Sequence, residues 1–409
     1  MEIRRLIYNF GYLSFLQIVN LILPILTFPY IVKIVGSSFF GDLSFATAIT
    51  SFAVVIINFG FDLSVTPQIA KNKNDVVLIS NHFYAVLILK FLLLICSVAV
   101  IAILTICLPQ FFHIRTLLFY SIGGLVGGIL FPTWFLMGME QMKFVTIFNV
   151  STKIFFTVLM FLFVKEKSSY ISFFLFSNLA GILTGLFGFI WSVKLFNIPL
   201  IIPSREMLWS VFSKSKNFFF SRIANDGSRY FATILIGINF SSTLVGYYSL
   251  VDKIFATSIS IGGIPAQLMY PLMSRKKDLS LFIKVLKFTI VASLVFISCL
   301  YGLKEHILLF FFHSSSPILL NIYDNVIWCI VIANVSSLIG FPLLGVSGYQ
   351  NEANFSLVYG SVFYFLYIVL ASIFTQNILV LGISLCAYEL VAFLIRVYYI
   401  SKFRLLKTN

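Results

Sequence analysis

Long apolar runs dominate this chain, broken at intervals by short polar stretches. A helix needs about 20 apolar residues to cross the hydrocarbon core of a bilayer. Twelve runs of roughly that length can be marked, at approximately 9–32, 40–62, 83–108, 116–138, 148–164, 170–193, 217–240, 245–271, 285–303, 322–346, 355–374 and 378–400. The longest basic connection, "KLFNIPLIIPSREMLWSVFSKSK" from Lys194 to Lys216, divides six runs from six and contains Pro199 and Pro203. The pattern predicts an all-α polytopic membrane protein of about 12 transmembrane helices in two six-helix lobes. The lobes are residues 1–195 and 217–409, joined by a linker at 196–216 that is in part an interfacial amphipathic helix.

Composition sharpens this picture. The chain is 60% hydrophobic and 10% charged, with mean hydropathy +1.03, more apolar surface than a soluble protein can hide. The 48 phenylalanines suit a surface that faces lipid. The net charge of +14 reads as orientation rather than as affinity for nucleic acid. With the N-terminus inside, nineteen lysines and arginines fall on the cytoplasmic side and five outside. That asymmetry predicts an inner-membrane protein with both termini in the cytoplasm and an even number of spans. Arg4 and Arg5 precede an apolar run with no small-residue cleavage site, which predicts an uncleaved first span. The cysteines Cys96, Cys107, Cys299, Cys329 and Cys386 stand singly in apolar runs and read as small packing residues. His82, His113, His306 and His313 form no metal-ligand spacing, so neither a metal nor a cofactor is expected.

Charges inside the apolar runs are the candidate chemistry. Residues 218–231 read "FFFSRIANDGSRYF". Hydropathy permits two placements. In one, Phe231–Val251 is a single span and Arg229 sits at its edge. In the other, the span ends near residue 240 and the charges lie at depth. An internal repeat favours the second. "SSFFGDLSFA" from Ser37 and "SSTLVGYYSLV" from Ser241 both hold Ser-Ser, a short step and Gly-x-x-Ser, and aligning Gly41 with Gly246 gives an offset of 205 residues. Repeated halves are common among transporters. Under this offset Arg222, Asp226 and Arg229 lie within the bilayer. Their spacing, continued to Thr233, places them on one face of a regular helix. Charges at depth are costly unless they face protein or water. Lys90, Lys253, Asp252 and Glu389 add charge to other runs, with Asp62 near the inner end of its own. Lys90 either contributes at depth or snorkels to the cytoplasmic surface. Glu389 is either the packing partner of a buried base such as Lys90 or a protonatable group. Together these residues predict a polar, mixed but cationic cavity between the lobes. Gly123/Gly127, Gly124/Gly128 and Gly181/Gly185 have the spacing of close helix contacts.

Several stretches resemble the Wzx-type O-antigen flippases, in the polysaccharide-transport branch of the MATE-like MOP superfamily. They are "NFGFDLSVTPQIAKNK" (Asn58–Lys73), Pro132–Tyr170 beginning "PTWFLMGMEQMKF", "VGYYSLVDKI" (Val245–Ile254) and "IPAQLMYPLMSR" (Ile264–Arg275). The resemblance implies alternating access to a cationic lumen. The implied substrate is an undecaprenyl-diphosphate-linked oligosaccharide, moved from the cytoplasmic to the periplasmic leaflet. Arginine suits a diphosphate because its planar fork can hold two phosphate oxygens. Arg222, Arg229, Lys253 and Lys90 are therefore the expected diphosphate-binding residues. Asp226, Glu389, Asp62 and Asp252 are the candidates for ion or proton coupling. Implied partners are membrane lipids and the polymerase and chain-length regulator of the same pathway, with no nucleic acid. Two rival readings are weaker. A MATE-type exporter of organic cations would need acidic and aromatic residues without deep arginines. A membrane polymerase or ligase would need a sizeable outer catalytic loop, and the longest outer segment here, Lys304–Asn321, is short.

Overall fold

A computed structural model describes residues 2–166, 170–312, 316–375 and 377–406. Lys167, His313 and Lys407 lie outside them, as do the side chains of Arg4, Arg5, Asn225 and Lys276. Helices dominate the described residues, which contain no strand. The first half comprises α1 (Glu2–Val35), α2 (Ser37–Asn58), α3 (Phe61–Ser64), α4 (Thr66–Lys71), α5 (Val76–Cys107), α6 (Pro109–Phe112), α7 (Arg115–Leu130), α8 (Thr133–Gly138), α9 (Met142–Phe163) and α10 (Tyr170–Leu195). The second comprises α11 (Arg205–Arg222), α12 (Ser228–Asn239), α13 (Ser242–Gly262), α14 (Ile264–Lys276), α15 (Leu279–Gly302), α16 (Lys304–Phe312), α17 (Pro317–Ile327), α18 (Cys329–Ile339), α19 (Gln350–Phe374) and α20 (Ile378–Lys402). Two π-turns occur: Ile223–Gly227 joins α11 to α12 with helical backbone on both sides, and Gly340–Gly345 follows α18, where Gly340 departs from helical backbone (ψ −110°).

Ten segments among the described residues are long and apolar enough to cross a membrane. Their apolar side chains point outward: Ile106 is 84% and Phe119 71% exposed. That arrangement suits a hydrocarbon solvent and would be unfavourable in water. The two remaining long stretches, α11–α12 and α13–α14, are the ones that carry Arg222, Asp226, Arg229, Asp252 and Lys253. Their polar residues lower their hydropathy, which is the first sign that they face something other than lipid. The protein is therefore a multi-pass membrane protein of about twelve spans in two lobes.

Helix starts are set locally. Asp75 and Asp278 each accept a hydrogen bond at 2.9 Å from the amide three residues on, capping α5 and α15. Ser204 and Ser316 do the same at 3.2 Å for α11 and α17. Each satisfies an amide that the helix itself leaves unpaired.

The chain forms two compact units. One comprises Met1–Gly36 with Phe45–Phe231, the other Ser37–Ser44 with Ala232–Asn409. In the first, Phe61, Ile69, Phe83, Trp134, Phe135 and Val211 form a buried core. In it, α7 and α10 meet at glycines: a Cβ on Gly127 would lie 2.4 Å from the carbonyl carbon of Gly181, and one on Gly185 2.3 Å from the Gly127 oxygen. The small-residue spacing read from the sequence is thus a helix contact. In the second unit, Met269, Phe282, Leu338 and Leu344 are core residues.

The repeat is visible in the second unit. α2 begins at Ser37 and α13 at Ser242, 205 residues later. Gly41 and Gly246 lie where these two helix starts cross. A Cβ on Gly41 would fall 1.6 Å from the Ser242 oxygen, and one on Gly246 2.7 Å from the Ser37 oxygen. The contact is reciprocal, each glycine meeting the other helix's first turn. The placement that makes Phe231–Val251 one span is excluded, because the helix ends at Asn239 and restarts at Ser242.

One expectation is corrected. Cys329 and Cys386 are not independent packing residues but a disulfide, with Cα atoms 5.5 Å apart, a separation that suits the bond. It joins α18 to α20.

Candidate functional site

The site begins with two interruptions of helical geometry in the first unit. α2 ends where Phe59 (φ 46°) and Gly60 (φ 74°) take up left-handed backbone, and the chain restarts as α3, which carries Asp62. Glycine at position 60 is needed for that φ and for space, since a Cβ there would lie 2.6 Å from the Phe218 Cβ. Phe59 is held in place by stacking on Phe212 and Phe219, with ring centroids at 4.6 and 4.3 Å. The second interruption is the π-turn Ile223–Gly227, "IANDG", which inserts an extra residue after Arg222. Such bulges occur often at functional sites.

The two interruptions bring three charges together. The Arg222 guanidinium donates from Nη1 to Asp226 Oδ2 at 2.9 Å and from Nη2 to Asp62 Oδ2. All three side chains are about a third exposed, with values of 36%, 36% and 37% for Arg222, Asp62 and Asp226. Lys90 approaches from α5. It is 4% exposed, donates to Asn58 Oδ1 at 2.8 Å and lies close enough to Asp62 to feel its charge. The lysine therefore turns inward and does not snorkel. Two bases and two carboxylates leave this cluster formally neutral. An arginine fork that fits two carboxylates also fits phosphate oxygens, so the geometry is suited to exchanging one anion for another.

The π-turn corrects the single stripe expected for Arg222, Asp226, Arg229 and Thr233. One inserted residue shifts the phase of everything after it by about 100°. Asp226 still reaches Arg222, while Arg229 and Thr233 are rotated off the line a regular helix would give. Arg229 is half-buried in the first turn of α12, between the buried Ser228 and the exposed Tyr230.

In the second unit, Asp252 and Lys253 are half-buried on α13, and the Lys253 Nζ lies 5.2 Å from the centroid of the Phe40 ring. A cation over a ring face is attracted by its quadrupole. Glu389, on α20, is half-buried and acts electrostatically on Arg396 two turns further along the helix.

Two bases counted at the cytoplasmic surface belong elsewhere. Arg396 is 5% exposed and donates to Ser356 Oγ at 2.9 Å and to the Ser336 carbonyl and hydroxyl at 2.6 and 2.7 Å. Lys153 lies three turns into α9 and donates to Asn20 in the middle of α1. Moving both inward leaves the charge asymmetry in the same direction. The signal for Arg396 was present as an arginine within a helix that runs on to Lys402. For Lys153 it was hidden, because the apolar run at 148–164 starts later than the helix does.

The comparisons agree with this architecture. The solved structure "Lipid II flippase MurJ, inward closed conformation" superposes with a TM-score of 0.74 at 12% identity, covering 97% of this chain and 87% of that one. A second, "Inward-facing conformation of a multidrug resistance MATE family transporter of the MOP superfamily", gives a TM-score of 0.59 at 12% identity, covering 93% and 97%. At such identity these likenesses define a fold class, a MATE-like bundle in a multi-pass membrane protein. Sequence comparison is more specific. The family described as "Polysaccharide biosynthesis protein" matches residues 6–277, and the chain belongs to that family. Two relatives are each named "Putative O-antigen transporter". The one from Escherichia coli (strain K12) is 30% identical over 160 residues, 39% of each chain. The one from Shigella dysenteriae is 25% identical over 264 residues, 63% of this chain and 64% of that one. The aligned stretches thus span less than two thirds of either relative.

Proposed function

We propose that this protein is a flippase that carries undecaprenyl-diphosphate-linked polysaccharide repeat units across the inner membrane, from the cytoplasmic to the periplasmic leaflet, by alternating access. It is a translocase and makes or breaks no covalent bond. Membership of the polysaccharide biosynthesis protein family carries the reading. The chemistry of the spans is consistent with it. Arg222, Arg229, Lys253 and Lys90 are the bases assigned to the diphosphate. Of these, Arg222 presents the planar fork that suits phosphate oxygens. Uncompensated charge in hydrocarbon is expensive, so bases retained at depth indicate an anionic cargo more readily than a cationic drug.

Arg229 tests the reading, because it is assigned to the diphosphate and is not itself a member of the Arg222–Asp62 and Arg222–Asp226 ion pairs. In a strain lacking its own flippase, the Arg229→Ala protein should accumulate to normal levels in the membrane and yield no surface polysaccharide. Full restoration of the polysaccharide by that variant would remove Arg229 from the site.

A further inference from the structure

Arg222 is already occupied. Its two terminal nitrogens hold Asp226 and Asp62, and the two carboxylates reach it by different routes. Asp226 is local, four residues along the same chain, and would follow Arg222 wherever the π-turn went. Asp62 comes from 160 residues away. It is aimed at Arg222 by the left-handed pair Phe59 and Gly60, a conformation held by the stacking of Phe59 on α11. The fold thus goes to some length to place a second carboxylate on an arginine that has one. The same carboxylate is the nearby counter-charge for Lys90, whose ammonium donates to the neutral Asn58.

From this geometry we infer that Asp62 is an internal counter-anion, a positioning residue that holds the place on Arg222 to be taken by a phosphate oxygen of the cargo. The inference rests on the flippase reading above and assigns a regulation to its site. With Asp62 in place the cluster is neutral, so Arg222 and Lys90 do not sit as bare charges in the spans. When a diphosphate arrives, it displaces Asp62 from Nη2 while Asp226 keeps the guanidinium oriented. When the cargo leaves, Asp62 returns and competes for the arginine, which favours release. No bond forms or breaks: one anion replaces another. Without this competitor a dianion held by Arg and Lys would leave slowly, and a transporter must release what it binds.

The inference predicts opposite effects on affinity and on turnover. The full-length protein in lipid nanodiscs is titrated with geranylgeranyl diphosphate, with geranylgeraniol as the uncharged control. Leaflet exchange of a fluorescent lipid-linked glycan is measured in vesicles. Asp62→Asn should bind the diphosphate about tenfold more tightly, within the usual range of site-to-site coupling, and exchange it more slowly. Arg222→Gln should weaken binding, and Asp62→Asn added to Arg222→Gln should tighten it much less than it does in the wild type, because only Lys90 is then left to gain from the lost carboxylate. A purely structural role for Asp62 would weaken binding or leave it unaltered. Asp62→Ser serves if the amide variant melts early. If Arg222→Gln loses binding but both Asp62 variants bind like the wild type or more weakly, the counter-anion role is overturned and the flippase reading stands. If the wild type binds the diphosphate no better than the alcohol, or Arg222→Gln binds unchanged, the assignment of the diphosphate to this site fails and the inference with it.

Discussion

At the scale of single residues, the charges inside the spans divide by how they are satisfied. Arg222 sits among groups that water can reach and can exchange partners. Arg396 cannot, because its fork is filled by Ser336 on α18 and Ser356 on α19, and Gly340 lies against the guanidinium so closely that a Cβ there would come within 2.9 Å of its central carbon. It ties three helices together from inside. Replacing Arg396 by Met leaves the Ser336 carbonyl without its donor and should cost about 2–3 kcal/mol, read as a lower melting temperature of the detergent-solubilised protein. Arg396→Lys should recover only part of this, since one ammonium lacks the planar fork that meets both serines. A lysine variant melting with the wild type would show that the fork is not needed. Arg222 was legible in the sequence because polar residues surround it. Arg396 was legible only as an arginine inside a helix that runs on to Lys402; its direction was not, because one arginine near a helix end looks the same whether it points out or in.

At the scale of elements, the site depends on two places where a helix stops being regular. Gly60 combines a positive φ with a backbone so close to Phe218 that no side chain fits. Gly60→Ala should therefore cost about 1–3 kcal/mol from strain and overlap together, and should disturb the aim of Asp62. Gly128→Ala is the matched control, with open space around the new methyl group, and should melt near the wild type. Equal melting temperatures for the two variants would mean that α11 does not press on Gly60 as described. The twelve helical runs were legible in the sequence because twenty apolar residues have few alternatives to a spanning helix. The π-turn was not. "IANDG" marks polar residues in a span, but whether the backbone there closes i→i+4 or i→i+5 hydrogen bonds depends on what the residues pack against.

At the scale of the whole molecule, the asymmetry of basic residues predicts that both ends of the chain lie in the cytoplasm. Green fluorescent protein fused after Asn409 should then fluoresce, and alkaline phosphatase fused at the same point should be inactive. The reverse pattern would require an odd number of spans or an inverted protein. The repeat also acts at this scale. Gly41 and Gly246 were aligned from the sequence without a reason for either to be glycine. Their reciprocal approach supplies the reason: each occupies the first turns of a helix that crosses its own counterpart.

The sequence by itself determined the class of the protein, the number and approximate limits of its spans, the existence of a repeat and the family resemblance. All of these rest on properties that add up along the chain, such as hydropathy, charge asymmetry and similarity of residues in order. Tertiary structure alone decided which charges meet. That Asp62 reaches Arg222, that Lys90 turns inward to Asn58, that Arg396 is enclosed and that Cys329 joins Cys386 are facts about residues far apart in the chain. Their pairing is set by backbone breaks and helix contacts, which no local pattern of side chains encodes.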